Sequence, residues 1–319
     1  MESLKKIKTF IDDNESFLVT SHVNPDGDAV ASMLLMVHLL SCLGKRAAAV
    51  IDDAVPRKFD YLHGIERIIT FGAFDATEPH DGIIVVDASS PERTGRLQTL
   101  IESGTPVINI DHHASNTRFG DFNFIDPGAS SSAELAHQVF SNWPCSVTPE
   151  IASIVYSGIV CDTGRFLFPN TTAAALALCS SMVEKGARPD EIAGNLYHRN
   201  SQNTVHALAD ALSTLEFHFN GSVACIYLAN AQGEDIDTEG FVDHLLSIEG
   251  TEVQIFMIEK APGEYRISMR SKSHIDVNAV AHHFGGGGHI RAAGCVVRGS
   301  REEIQDRLLQ VLGEQLCTV

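Results

Sequence analysis

The sequence predicts an α/β protein in which a doubly wound, mostly parallel sheet domain is followed by a smaller mixed α+β domain. Three observations carry this expectation. Short apolar runs alternate with helical patterns through the first 187 residues, as in βαβ units joined by right-handed crossovers. Strand patterns with alternating faces replace them in the last third of the chain. Several apolar runs of the first part end on Asp or His, at the strand exits where open α/β sheets bind ligands. The expected domains are 1–187 and 206–319, joined by a helical linker over 188–205.

In order, 3–12 reads as a helix and 17–21 as a short strand ending at His22. Asn24-Pro25-Asp26-Gly27 is turn chemistry, and 28–43 is a strongly apolar helix stopped by Gly44. A strand over 47–51 leads to helical material at 56–62 and strand-like residues at 67–70. Ile83-Ile84-Val85-Val86 is a buried strand ending at Asp87, and a helix near 93–103 precedes a second buried strand at 106–110. Ser131-Ser132-Ala133-Glu134 has the form of a capping box, opening a helix to about 140. Helices over 149–161 and 171–185 complete the first domain. The second domain is expected to hold strands at 223–228, 253–259, 265–270 and 295–298, with helices at 277–284 and 302–316.

Composition bounds the function. Hydrophobic content of 44% and charged content of 20% over 319 residues are those of a globular protein with room for two cores. No apolar run is long enough to span a bilayer, so no membrane partner is expected, and the N-terminal stretch lacks the apolar segment of a secretory signal. Seven dispersed cysteines without a C-x-x-C pair argue against a disulfide framework and a structural zinc site, and fit a cytoplasmic protein. A formal net charge of −18 gives long duplex DNA no general platform, so an anionic substrate needs positive charge supplied locally.

Four polar clusters interrupt the apolar runs: His22-Val23-Asn24-Pro25-Asp26-Gly27-Asp28, Asp87, Asp111-His112-His113 and Asp162-Thr163-Gly164. Singly, each has a plain alternative, such as Asp28 capping the helix after it or Asp87 closing a turn. Together, three of them sit at strand ends on one edge of one sheet. Carboxylates with imidazoles and no thiolate suit Mn²⁺, Mg²⁺ or Fe²⁺. The donors outnumber the needs of one ion, which favours two cations about 3.5–4 Å apart sharing a carboxylate. Arg93 and Arg96, shortly after Asp87, leave a route to anionic ligands open. A fifth feature is Phe284-Gly285-Gly286-Gly287-Gly288-His289, in a domain stretch (260–301) with seven Lys/Arg against two acids. Glycine there lets backbone N–H groups approach a ligand closely, and the local charge suits phosphate. A flexible linker or a solvated edge strand is the alternative.

These motifs, in this order and over nearly the whole chain, resemble the DHH–DHHA1 phosphoesterases, and among them the compact bacterial type acting on short oligoribonucleotides (nanoRNA) and 3′-phosphoadenosine 5′-phosphate (pAp). The resemblance implies two Mn²⁺ ions, with Mg²⁺ or another divalent ion as the substitute. His22, Asp26 and Asp87 would hold one and Asp28, Asp87, His112 and Asp162 the other. Asp111 would support the site, and His113 would face the scissile phosphate. Arg118 is a weaker candidate for the same phosphate, while Arg270 and the loop Gly286, Gly287, Gly288 and His289 would hold the nucleotide. Short RNA or a nucleotide is the implied substrate, with cyclic di-AMP or pApA as the alternative. A pyrophosphatase or exopolyphosphatase on the same metal domain, a sensing module without turnover and a nicotinamide-dependent enzyme are the competing classes. Homodimer formation is left open.

Overall fold

The computed structural model describes residues 2–229 and 236–316, and the chain divides into two compact units, Met1–Arg199 and Asn200–Val319. The first unit runs α1 (Glu2–Asp13), β1 (Ser16–Thr20), α2 (Gly27–Cys42), β2 (Arg46–Ile51), β3 (Ile68–Thr70), β4 (Gly82–Val86), α3 (Gln98–Ile101), β5 (Val107–Asp111) and β6 (Phe122–Ile125). Four further helices follow: α4 (Ser132–Phe140), α5 (Pro149–Asp162), α6 (Ala173–Glu184) and α7 (Pro189–Tyr197). Its six strands lie in the order β3-β2-β1-β4-β5-β6, all parallel. Chain direction reverses its progress across the sheet between β1 and β4, which is the switch point where doubly wound folds open a ligand crevice.

Burial on both faces explains the unbroken apolar strands. Every residue of β1, β4 and β5 is buried. One face, through Phe17, Val19, Ile84, Val86, Ile108 and Ile110, packs on α2 and the helices around it. The other, through Leu18, Ile83, Val85 and Val107, is covered by Leu97, Ile101 and their neighbours. Helix α2 is buried almost all round, which is why its sequence is apolar on every side. Glycine makes its close packing possible: a Cβ at Gly158 of α5 would stand 2.5 Å from Ala133 Cβ and 2.9 Å from Ala31 Cβ.

Several local expectations change. The helices expected near 56–62 and 93–103 shrink to 3₁₀ turns at Arg57–Phe59 and Pro91–Leu97, the latter passing into the four-residue α3. Strand β6 carries no strong apolar run and forms an edge of intermediate burial, so its pairing with β5 is what makes it a strand. The cysteine reading is also corrected. Cys42, at the end of α2, and Cys145, between α4 and α5, form a disulfide across 103 residues, a contact that spacing alone does not reveal. Cys317 lies outside the described residues.

The second unit runs α8 (Gln202–Ser213), β7 (Glu216–His218), β8 (Val223–Leu228), β9 (Val253–Ala261), β10 (Glu264–Ser271), α9 (Val277–His283), β11 (Gly287–His289), β12 (Ala292–Arg298) and α10 (Arg301–Leu316). Its sheet has the order β11-β12-β10-β9-β8-β7, antiparallel except for the parallel pair β8 and β9. One face buries Val223, Ile255, Met257, Ile267 and Met269 against Val277, Val280, Ile304 and Leu308. The other buries Ala224, Ile226, Phe256 and Ile258 against Ala207 and Ala211 of α8 and the turn Phe241–Ser247. The glycine run is therefore not a free loop, because Gly287–His289 pairs with β12 as an edge strand. Its glycines serve the backbone: a Cβ on Gly288, whose φ is +150°, would meet the Ala292 carbonyl and lie 2.7 Å from Ala293 Cα.

Candidate metal centre

The switch point brings the polar strand ends together. His22 follows β1, Asp87 follows β4, and Asp111 ends β5 with His112 and His113 behind it. Asp26 and Asp28 sit at the start of α2, and Asp162 ends α5. Asp26 is the N-cap of α2, its Oδ1 accepting from the backbone N–H groups of Asp28 and Ala29 at 3.0 and 3.1 Å. The capping role considered for Asp28 thus belongs to Asp26. Asp28 instead receives the start of α4, with Oδ2 accepting from Ser132 N at 2.6 Å and Oδ1 from Ala133 N at 2.8 Å. The capping box of α4 forms with Ser131 on Glu134 N, while the Glu134 carboxylate reaches back to Ser130.

Two donor groups share one carboxylate. Ligand atoms of His22, Asp26 and Asp87 lie within 4.8 Å of one another, and so do those of Asp28, Asp87 and His112. Asp87 offers Oδ2 toward His22 Nε2 at 3.4 Å and Oδ1 toward His112 Nε2 at 3.9 Å. Its backbone holds φ at +53°, an unfavourable conformation for a non-glycine residue of the kind that concentrates at functional sites. Asp162 stands beside the second group, its Oδ2 3.5 Å from His112 Nε2.

Backbone carbonyls set the tautomers. His22 Nδ1 lies 2.7 Å from Val23 O and His112 Nδ1 3.3 Å from Ala129 O. A carbonyl only accepts, so each Nδ1 carries a proton, and each ring turns its Nε2 toward the carboxylates. Such outer hydrogen bonds orient imidazoles for a cation. His113 has a different partner: its Nδ1 donates to Asp111 Oδ1 at 2.7 Å, and Asp111 Oδ2 accepts from Asn116 Nδ2 at 2.6 Å.

The charges follow from this packing. Burial, then the charges of Asp87, Asp162 and Asp26, push the Asp28 carboxyl well above the usual carboxylate range. Burial and the charges of Asp26 and Asp87 push Asp162 up to about 7, against His112 and His113. Burial alone would raise Asp87 as well, but the His22 hydrogen bond and the imidazoles of His113 and His112 outweigh it and hold that carboxyl down. Burial would lower His113, yet the Asp111 hydrogen bond and the charges of Asp111, Asp87 and Asp162 lift it to about 9. Crowded buried carboxylates, two of which resist ionisation, with imidazole Nε2 atoms aimed among them and no thiolate, form a donor set that fits divalent cations.

Residues without a sequence signal complete the centre. Ser132 Oγ donates to Asp87 Oδ1 at 2.9 Å, and Asn170 Nδ2 donates to Asp162 Oδ2 at 2.9 Å. With Asn116 they are ordinary polar residues in loops or at a helix start, and only their contacts mark them.

Other expected site residues lie elsewhere. Arg118, exposed and with φ at +56°, lines a surface hollow with Ser3, Lys6, Asp121, Phe122 and Asn123, none of which belongs to the centre. In the second unit, Arg270 on β10 pairs in register with Ala292, which pairs with His289. Directly paired residues share a face, so Arg270 and His289 stand on the same side of the sheet, with Gly287 beside Gly294 two pairs along. Arg270 Nε lies 2.8 Å from Asp243 Oδ1.

Comparison with known proteins agrees with this geometry. The family profile "DHH family, N-terminal domain" matches residues 16–159, and that of the DHHA1 domain matches 220–316. The chain is 30% identical over 308 residues to a bifunctional oligoribonuclease and PAP phosphatase of Thermus thermophilus, covering 93% of this chain and 89% of that one. It is 26% identical to a cyclic-di-AMP phosphodiesterase of Listeria monocytogenes, covering 90% of this chain and 45% of the relative. The solved structure of an exopolyphosphatase-related protein from Bacteroides fragilis superposes with a TM-score of 0.89 at 25% identity, covering 98% of this chain and 96% of the other. Together with the parallel sheet and its polar switch point, these matches show that the chain belongs to the DHH family of phosphoesterases, with a DHHA1 domain after the DHH domain.

Proposed function

We propose that this protein hydrolyses short oligoribonucleotides to 5′-nucleotides, and pAp to AMP, at a centre of two Mn²⁺ ions held by His22, Asp26 and Asp87 on one side and Asp28, Asp87, His112 and Asp162 on the other. The observation that carries it is Asp87, whose two oxygens address the two imidazole groups separately. The relatives named as oligoribonuclease and PAP phosphatase support the substrate class. The Listeria relative supports cyclic di-AMP or pApA as the second reading. Bound divalent cations would supply Lewis acidity toward phosphoryl oxygens and make water acidic enough to attack near neutral pH.

The chain's own residues do the rest. The Nδ1–H groups of His22 and His112 stay on backbone carbonyls, so both rings keep Nε2 toward the centre. Asp111, fixed by Asn116, holds His113 by Nδ1 and favours its protonated form. The remaining nitrogen of His113 then has a proton to give the leaving oxygen of a phosphoester. Arg270, with His289 on the same sheet face and Gly286, Gly287 and Gly288 beside it, is the proposed nucleotide-binding surface of the second unit. Among the described residues no helix is long and apolar enough to cross a membrane, and a cytoplasmic location belongs to this proposal.

The test is a hydrolysis panel of nanoRNA, pAp, pApA, cyclic di-AMP and pyrophosphate in Mn²⁺, Mg²⁺ and chelator. Turnover of the short nucleotides that disappears with chelator is expected. Phosphate release from pyrophosphate alone would overturn the reading in favour of a pyrophosphatase. Arg270→Ala and His289→Ala should mainly raise KM for dinucleotides, and unchanged kinetics would remove their assigned role.

A further inference from the structure

Two arginines follow Asp87 within ten residues, and the structure uses them differently. Arg96 is taken up by Asp52: its Nε donates to Oδ1 at 2.5 Å, and its backbone N–H to Oδ2 at 2.9 Å. Gly95 permits this approach, with φ at +64° and no room for a Cβ against Asp52 and Val23. The turn Pro91–Leu97 is thereby pinned to the end of β2, and on the His22 loop Val23 N–H donates to the Arg93 carbonyl at 2.8 Å.

That docking places Arg93 beside the residue next to His22. Among the described residues no ion pair or hydrogen bond engages its guanidinium, which is half-buried. The adjacent acid is otherwise occupied, since Glu92 is hydrogen-bonded to Ser90. The Arg93 charge reaches His22, where it opposes protonation of the ring. A guanidinium thus acts on the His22 end of the centre, and no ion pair joins it to Asp26, Asp28, Asp87, Asp111 or Asp162. A residue that only balanced this negative charge would be expected to lie against a carboxylate, as Arg96 does with Asp52.

We propose that Arg93 binds the substrate's phosphoryl oxygens at the His22–Asp87 end of the centre. The inference rests on the phosphoesterase reading above and adds the residue that recognises the anion there. Once cations offset the carboxylates, an arriving phosphate still needs fixed donors for its non-bridging oxygens. Guanidinium provides two parallel N–H bonds of suitable spacing and stays charged at every working pH. Its anchored main chain reduces the freedom lost on binding.

The experiment uses the full chain loaded with Mn²⁺, in the wild type and in Arg93→Ala, Arg93→Gln and Arg93→Lys. Three quantities are read: KM and kcat for pApA, the inhibition constant and thermal stabilisation given by inorganic phosphate, and Mn²⁺ affinity by calorimetry. In Arg93→Ala and Arg93→Gln, KM for pApA and the inhibition constant for phosphate should rise roughly 10- to 100-fold, with partial recovery in Arg93→Lys. Mn²⁺ affinity should stay within about twofold, since the residue donates and is no ligand. Unchanged phosphate binding in both neutral variants overturns the proposal. A loss of Mn²⁺ affinity parallel to the rise in KM also overturns it, because it assigns Arg93 to shaping the centre. If the wild type hydrolyses none of the nucleotides, the functional reading fails, and stabilisation by phosphate still decides whether Arg93 binds the anion.

Discussion

Replacing Asp162 by Asn isolates the electrostatic cost of the metal-free centre. Asp162 ends α5, with Oδ2 3.5 Å from His112 Nε2 and 2.9 Å from the Asn170 amide nitrogen that donates to it. Burial, opposed by His112 and His113 and reinforced by Asp26 and Asp87, moves its ionisation from the usual 3.8 to about 7. A carboxyl whose folded pKa is raised contributes no penalty below the unfolded value, where both states are protonated. The penalty grows as pH rises from 3.8 to about 7, because only the unfolded chain ionises there, and it is constant above. Three pH units at about 1.4 kcal/mol each give a cost of about 4 kcal/mol at pH 8. Asn keeps an oxygen for Asn170 and never ionises. In chelator at pH 8, Asp162→Asn should therefore be more stable than the wild type by roughly 2–4 kcal/mol, or about 5–15 °C in Tm for a unit of this size. Near pH 4 the difference should vanish. With Mn²⁺ most of that gap should close, since only the wild type keeps the full donor set, and free metal at 100-fold over Kd contributes about 2.7 kcal/mol. Denaturation followed by circular dichroism at both pH values, with chelator and with Mn²⁺, reads all four quantities. A variant no more stable than the wild type in chelator at pH 8 would refute the reasoning.

Three further predictions are independent of that experiment. His112→Ala should abolish hydrolysis and lower Mn²⁺ binding while circular dichroism stays native, and near-wild-type turnover with metal present would sink the shared-carboxylate arrangement. Gly158→Val should cost about 1–3 kcal/mol by overpacking α2, α4 and α5. It should weaken Mn²⁺ binding as well, because a Cβ there lies 3.3 Å from Asp28 Oδ1, and calorimetry beside thermal denaturation separates the two effects. Glu252, in the second unit, accepts from Ser273 N, His274 N and Ile275 N at 3.0, 2.7 and 3.1 Å and from Ser273 Oγ at 2.7 Å. Burial would raise its carboxyl, but these bonds hold it below the usual 4.5, so its stabilisation is present above 4.5 and lost as pH falls through the folded value. Glu252→Ala should cost about 2–4 kcal/mol at pH 7 by urea denaturation and progressively less toward pH 3.

The legible part of the centre was the part written into strand ends. Ile83 to Val86 followed by Asp87, and Ile108 to Ile110 followed by Asp111, are apolar runs closed by carboxylates, and parallel packing brings such ends to one edge. The illegible part depended on contacts between segments. Nothing in the run Ser130-Ser131-Ser132 says that the third hydroxyl reaches Asp87, 45 residues earlier, or that the following backbone amides hold Asp28. The glycine run stays ambiguous by sequence for the same reason: permissive backbone is needed equally for a ligand and for a neighbouring strand, and only the fold shows β12 as the neighbour.

The sequence by itself determined the two domain types, the parallel character of the first sheet and the carboxylates and imidazoles proposed for the candidate centre. Period and residue chemistry are local properties, and a buried strand or an acidic loop at its end announces itself in a few positions. The tertiary structure alone decided which oxygen of Asp87 faces which imidazole, that Asp26 rather than Asp28 caps α2, and that Cys42 meets Cys145. It also decided the division between Arg96, held by Asp52, and Arg93, left beside His22. Each of these depends on distances between residues far apart in the chain, which are set by how helices and strands pack and not by spacing along it.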